Sequence, residues 1–333
     1  MTVLNAIWQL FAKGGDEGPE HHKAHRLVNA WEFAKLARQS AEMGRYVIAA
    51  GDFNSIPATL PMTIIREHAG LTDAWVSTHR NTRTLVPNEP VSAVDAIHTY
   101  GVTADSPLNS FSAAKALEAV ARRQQGKRLD YIFYRLPSSP PASDKTPILT
   151  CVDTKVVFTE DVPGTSFSYS DHFGMEATFE ISLPKGGDVT DPEETYVPAP
   201  VRPRSPSFVL TSTPNPTVTP PKYLSADSVT AMLQSLTARY RYAVSQGRYQ
   251  LSIFAGSLSL LFVMTIFAAW WPWWLASLIT LLTIFLSWLA TTMLYIGFVY
   301  AKWEANALTN VIEELELYKA SLDQRNARSH AGR

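Results

Sequence analysis

Fifty-three consecutive residues, 249 to 301, contain no Asp, Glu, Lys or Arg. No other stretch restricts the fold so strongly. A helix needs about 20 apolar residues to cross ~30 Å of hydrocarbon, so the interval accommodates two spans and a tight turn. The spans are read at 251–269 and 275–299. Between them stands Trp270-Trp271-Pro272-Trp273-Trp274. Tryptophan favours the headgroup boundary, and proline interrupts a helix. A buried hairpin in a soluble protein rarely sustains two charge-free runs this long. Arg239, Arg241 and Arg248 precede the first span, Lys302 follows the second, and the turn carries no charge. The positive-inside rule then expects both termini in the cytosol, with the endoplasmic reticulum or another internal membrane as the expected location.

The flanks divide the remaining chain. Residues 302–333 read as a cytosolic helix and tail. Leu308, Val311, Ile312, Leu315 and Leu317 give the helix an apolar face, and Glu313, Glu314 and Glu316 a solvated one. Residues 223–248 read as a juxtamembrane helix. Residues 185–222 are crowded with Pro, Ser and Thr, the composition of a disordered linker. Residues 1–184 alternate a helical pattern (26–43) with short apolar runs at 46–50, 128–134, 152–158 and 175–181. That is the signature of a layered α+β domain. It holds 17 basic against 20 acidic residues, so it offers no basic face for a nucleic-acid duplex. One cysteine, Cys151, excludes an intramolecular disulfide framework and fits a reducing compartment. The N-terminal residues lack the basic region of a signal peptide.

Three short motifs in the first segment carry chemistry. Gly51-Asp52-Phe53-Asn54 follows the apolar run 46–50. Side chains two apart at a strand end share a face, so Asp52 could hold a hard cation or a water and Asn54 could donate to a phosphate oxygen. An Asx turn is the plainer reading of this motif alone. Asp130, within Arg128-Leu129-Asp130-Tyr131-Ile132, is an acid in an apolar strand and needs a partner or solvent. Ser170-Asp171-His172 supplies a carboxylate and an imidazole able to titrate near neutrality. Pairing Asp130 with His172 would satisfy the acid and fix the imidazole tautomer. His21, His22 and His25 read as an exposed loop, His68, His79 and His98 show no partner pattern, and Trp31 and Trp75 read as core or pocket wall.

The order of these motifs resembles the endonuclease/exonuclease/phosphatase superfamily, and within it the neutral sphingomyelinase branch with the fungal inositol phosphosphingolipid phospholipases C. His25-Arg26, Asn29-Ala30-Trp31-Glu32, Ser55-Ile56-Pro57, Gly70-Leu71-Thr72-Asp73-Ala74-Trp75 and Asp105-Ser106-Pro107-Leu108-Asn109 extend the likeness. The resemblance implies a four-layer α/β/β/α DNase I-like sandwich, of which residues 1–184 would be the C-terminal part. It implies a Mg²⁺-dependent hydrolase that splits a phosphosphingolipid into ceramide and a phosphorylated headgroup. Asp52 and Asn54 would meet the attacking water and the phosphate, and His25 and Arg26 would approach the phosphate. Asp171 and Asp52 would hold Mg²⁺, His172 would be the base or acid, and Asp130 would orient it. The implied partners are the membrane, the sphingolipid and anionic lipids, with no nucleic acid. The chain departs from the family in two ways. The family's early strand with a metal-binding Glu has no counterpart, and Ile7 or Trp8 stands where the family has a His. Residues 1–184 therefore read as part of a catalytic domain. A non-catalytic membrane remnant and another phosphatase or nuclease of the superfamily are the alternative readings.

Overall fold

The computed structural model describes residues 2–5, 20–79, 91–113, 115–138, 146–183 and 224–331. The expected linker, 185–222, lies outside the described residues. The chain divides into two compact units. One comprises Met1–Ala6, Lys35–Phe53 and Arg66–Tyr223; the other comprises Ile7–Ala34, Asn54–Ile65 and Leu224–Arg333.

The first unit is a mixed α/β structure. Strands β1 (Thr2–Asn5), β2 (Val47–Asp52), β3 (Thr72–Asp73) and β4 (Asp130–Arg135) form a sheet in the order β1-β2-β4-β3. β1 runs parallel to β2, and β4 is antiparallel to β2 and β3. β5 (Ile148–Val157) and β6 (Gly174–Ser182) form a separate antiparallel ribbon. Alternation along the strands decides how the two sheets meet. Ile48, Ile132 and Tyr134 turn one face of the first sheet toward Leu149, Cys151, Ala177 and Phe179 of the ribbon, and together they build a core. Cys151 is free and buried there, and burial raises its thiol pKa. On the opposite face Phe53, Tyr131 and Phe133 pack as mutually contacting rings.

Short helices close the edges of this unit. α3 (Ala74–Thr78) starts at Asp73, whose carboxylate accepts from Trp75 N at 3.0 Å. The same carboxylate pairs with Arg128 at 2.9 Å, both side chains being buried, and so ties the start of β4 to β3. His79, which showed no partner in the sequence, stacks on Trp75 at 3.9 Å and contacts Thr78 and Thr154. α4 (Ala93–Tyr100) ends at Gly101, whose left-handed backbone and contact with the Trp75 ring leave no room for a Cβ. α5 (Ala119–Gln124) completes the unit.

The second unit is helical. α1 (Glu20–Glu42) contributes its residues up to Ala34. Its apolar stripe, Ala24, Leu27, Ala30, Trp31 and Ala34, is buried. The expected loop at His21–His25 is corrected: the stripe begins a turn earlier than 26, and the helix begins with it. α2 (Leu60–Glu67) follows, most of it in this unit. α6 (Ala226–Phe267) starts at an N-cap, Ser225, that accepts from Ser228 N at 3.1 Å. It continues without interruption through the boundary expected at 248, because no proline stands there. At 42 residues it is about 63 Å long. Two 3₁₀ turns, Ala268–Trp270 and Trp273–Leu275, flank Pro272. The return path is α7 (Ala276–Leu294), a π-helical segment (Tyr295–Tyr300) and α8 (Ala301–Ala331).

Both limbs contain helix long and apolar enough to cross a membrane. Their side chains face outward there, with Trp273 87% exposed. Gly247 and Gly297 allow the limbs to touch: a Cβ on Gly297 would lie 3.0 Å from Gly247 O. Two expectations for α8 are corrected. Leu317 is exposed rather than part of the apolar face. Glu314 is not simply solvated, because its carboxylate accepts from Trp31 Nε1 at 3.1 Å.

Candidate active site

The site lies where the apolar inner face of the first sheet ends. In register, Ile48 faces Tyr134, Ala50 faces Ile132 and Asp52 faces Asp130. The period of two that fills the core with Ile48, Ile132 and Tyr134 therefore places two carboxylates directly opposite each other at the strand ends. Like charges in such a cross-strand pair repel, so the pair calls for a cation.

His172 packs against this pair. Its Nδ1 lies 2.9 Å from Asp130 Oδ2, the side chains being 27% and 20% exposed. One ligand atom from each of Asp52, Asp130 and His172 lies within 4.8 Å of the others. The Asp130 hydrogen bond raises the His172 pKa to about 8, with the charges of Asp130, Asp52 and Asp171 adding to it and burial opposing it. Asp130 occupies Nδ1, which leaves proton transfer to Nε2. Asp171 is exposed beside the cluster and accepts from Ser170 Oγ at 3.2 Å.

Backbone and small polar groups hold this arrangement. Ala104 bridges both Lys127 and His172. Gly126, with φ +130°, lets Lys127 approach, since a Cβ there would meet Val102 at 2.4 Å. Thr103 is fully buried; its hydroxyl accepts from Leu129 N at 3.2 Å and Asp130 N at 3.3 Å. Its carbonyl accepts from Phe173 N at 2.7 Å. One residue thus fixes the backbone on both sides of the Asp130–His172 pair. Asn109 Nδ2 donates to Ser170 O at 2.9 Å, and the backbone amides of Ser110 and Ser168 each donate to the other's hydroxyl, at 3.1 and 2.8 Å. No local sequence pattern points to Thr103, Ser110 or Ser168. Asn109 was visible only as part of a family-like stretch.

The remaining expected site residues, Asn54, His25 and Arg26, belong to the second unit. Asn54 follows the β2 end with a left-handed backbone, φ 47°. His25 Nε2 lies 3.2 Å from Glu304 Oε1 within the helical unit, and Arg26 on the same helix is buried.

The sequence pattern of the endonuclease/exonuclease/phosphatase family matches residues 5–172, half of the chain, and ends on His172 itself. The chain belongs to that family. Family membership gives the cluster of Asp52, Asp130 and His172 its context, because the matched segment contains all three. Relatives include an inositol phosphosphingolipids phospholipase C of Schizosaccharomyces pombe, 29% identical over 309 residues, 91% of this chain and 62% of the relative. A protein of the same name from Saccharomyces cerevisiae is 31% identical over 176 residues, 53% of this chain and 32% of the relative. Human sphingomyelin phosphodiesterase 2 is 26% identical over 199 residues, 59% of this chain and 40% of the relative. This family member therefore spans less than two thirds of the length of each.

Proposed function

We propose that the chain is part of a membrane-anchored, metal-dependent phosphodiesterase of the phospholipase C type, acting on inositol phosphosphingolipids or sphingomyelin. The carrying observation is the acid pair Asp52–Asp130 with His172 bonded to Asp130. The names of the relatives, and two limbs apolar enough to span a membrane, support a lipid substrate. A DNase I-like sandwich for the whole domain fits the packing of sheet on ribbon. Both ends of the hairpin would face the cytosol, on the same side as the α/β unit.

The donor set suits a hard divalent cation: two opposed carboxylates provide oxygen ligands. Asp52, with Asp171 at the exposed edge, would hold Mg²⁺, which would offset charge on the phosphate oxygens. His172 then acts through Nε2 as the base that takes a proton from the attacking water. Asp130 stabilises the imidazolium that results, as the raised pKa reflects. Asn54 would donate to a phosphate oxygen. Attack breaks the bond between phosphorus and the ceramide oxygen; solvent protonates the leaving oxygen, and His172 returns its proton to solvent. The test is headgroup release from a labelled phosphosphingolipid in mixed micelles, with and without Mg²⁺. Metal-dependent release that His172→Ala abolishes supports the reading. No release from a folded chain would overturn it for this polypeptide.

A further inference from the structure

Where the two limbs cross, a cavity of about 280 Å³ is lined by Arg239, Tyr242, Gln246, Gln250, Tyr300 and Glu304 among others. It sits beside the Gly247–Gly297 contact and against the π-helical segment, a distortion that often marks functional sites. Gln250 is the second residue of the uncharged interval, so the cavity lies at the entry to the apolar layer. The carboxamide oxygen of Gln250 is buried and has no hydrogen-bond partner among the described residues. A buried acceptor next to hydrocarbon requires a donor.

The charge balance narrows what could donate. Arg239 is the one cation among the lining residues, and Glu304 already binds it through Nε at 2.7 Å and Nη2 at 2.6 Å. Recognition in this cavity therefore rests on hydroxyls rather than on a phosphate charge. Carboxamides and tyrosine rings with their hydroxyls together match the alternating hydroxyls and flat apolar face of a polyol ring.

We propose that this cavity binds the head of a membrane lipid carrying a hydroxylated ring, an inositol- or hexose-headed lipid. The proposal rests on the membrane-spanning reading of the two limbs and not on hydrolysis. Binding in the cavity involves neither His172 nor a metal.

The test reconstitutes the full chain into phosphatidylcholine nanodiscs containing a small fraction of phosphatidylinositol, glucosylceramide or phosphatidylserine, and follows thermal unfolding of the helices. Phosphatidylinositol and glucosylceramide should each raise the midpoint of the unmodified chain and of His172→Ala alike. Gln250→Met, which replaces an unpaired polar group with an apolar one of similar size, should fold and lose both shifts. A photoactivatable inositol lipid should label peptides spanning 239–250 in the unmodified chain. Equal shifts from phosphatidylserine and phosphatidylinositol with none from glucosylceramide would show charge recognition and overturn the proposal. Shifts that persist in Gln250→Met, or no shift at all, would do the same. Failure to enter nanodiscs would instead overturn the membrane-spanning reading beneath it.

Discussion

Two acid–imidazole pairs within the described residues have similar geometry and opposite character. In the α/β unit, His172 meets Asp130 at 2.9 Å, and a second acid, Asp52, stands directly opposite Asp130. In the helical unit, His25 meets Glu304 at 3.2 Å, and a second base, Arg239, closes on the same carboxylate at 2.6 Å. The first cluster has two acids for one base and is partly open, while in the second Glu304 is only 4% exposed and has two bases. Distance alone does not separate a reactive site from a structural tie. Facing carboxylates with access to solvent invite a cation and a substrate, whereas a saturated buried carboxylate is satisfied and locks helices together.

The contrast is broken most severely by removing the imidazole of the first cluster. His172→Ala should lower headgroup release by about a thousandfold, the usual scale for losing a positioned base. Helicity of the chain, followed by circular dichroism, should not change. Removing the acid of the second cluster should do the reverse. Glu304→Leu leaves the partly buried Arg239 without its partner and should destabilise the helical unit by about 2 kcal/mol, read by denaturant unfolding. The double variant Arg239→Met with Glu304→Leu should recover most of that loss. An effect of similar size tests the support of the first cluster. Thr103→Val deprives two buried amides of one acceptor and should cost about 2 kcal/mol. It should also lower turnover more than it changes the KM, because Thr103 touches no substrate.

The smallest effect is on the pH dependence of stability. The folded His172 pKa is about 8, above its ordinary value of 6.5. Its contribution to stability is therefore fully present below pH 6.5 and is lost as pH rises through about 8, at most ~2 kcal/mol. Denaturant unfolding without added metal at both ends of that window should show the loss, and His172→Gln should remove it. In activity the sign is opposite, since a base must be deprotonated. The acidic limb of the rate profile should move to lower pH in Asp130→Asn, which withdraws the hydrogen bond that holds the proton.

Residues near each other in the chain showed their roles readily, and distant partners did not. Asp52, Asp130 and His172 each stand in a short motif, and the apolar runs 46–50 and 128–134 already placed Asp52 at a strand end and Asp130 within a strand. His25 and Arg26 were read toward phosphate because their motif resembles the family's. The carboxylate that takes His25 comes from α8, a partner no local pattern could reveal. Thr103 has no motif at all, since a hydroxyl accepting two backbone amides leaves no trace in spacing.

The sequence by itself determined the two apolar limbs, the Trp-Pro break between them and the α+β character of the first segment. Hydrocarbon crossing depends on the composition of one continuous stretch, and strand and helix periods are local properties of the chain. Only the tertiary structure decided that Asp52 faces Asp130, that His172 bridges to Ala104 beside them, and that Gly247 meets Gly297. Those facts are set by register between strands and by the crossing of helices. A shift of one residue in either would keep every local pattern and turn the side chains to another face.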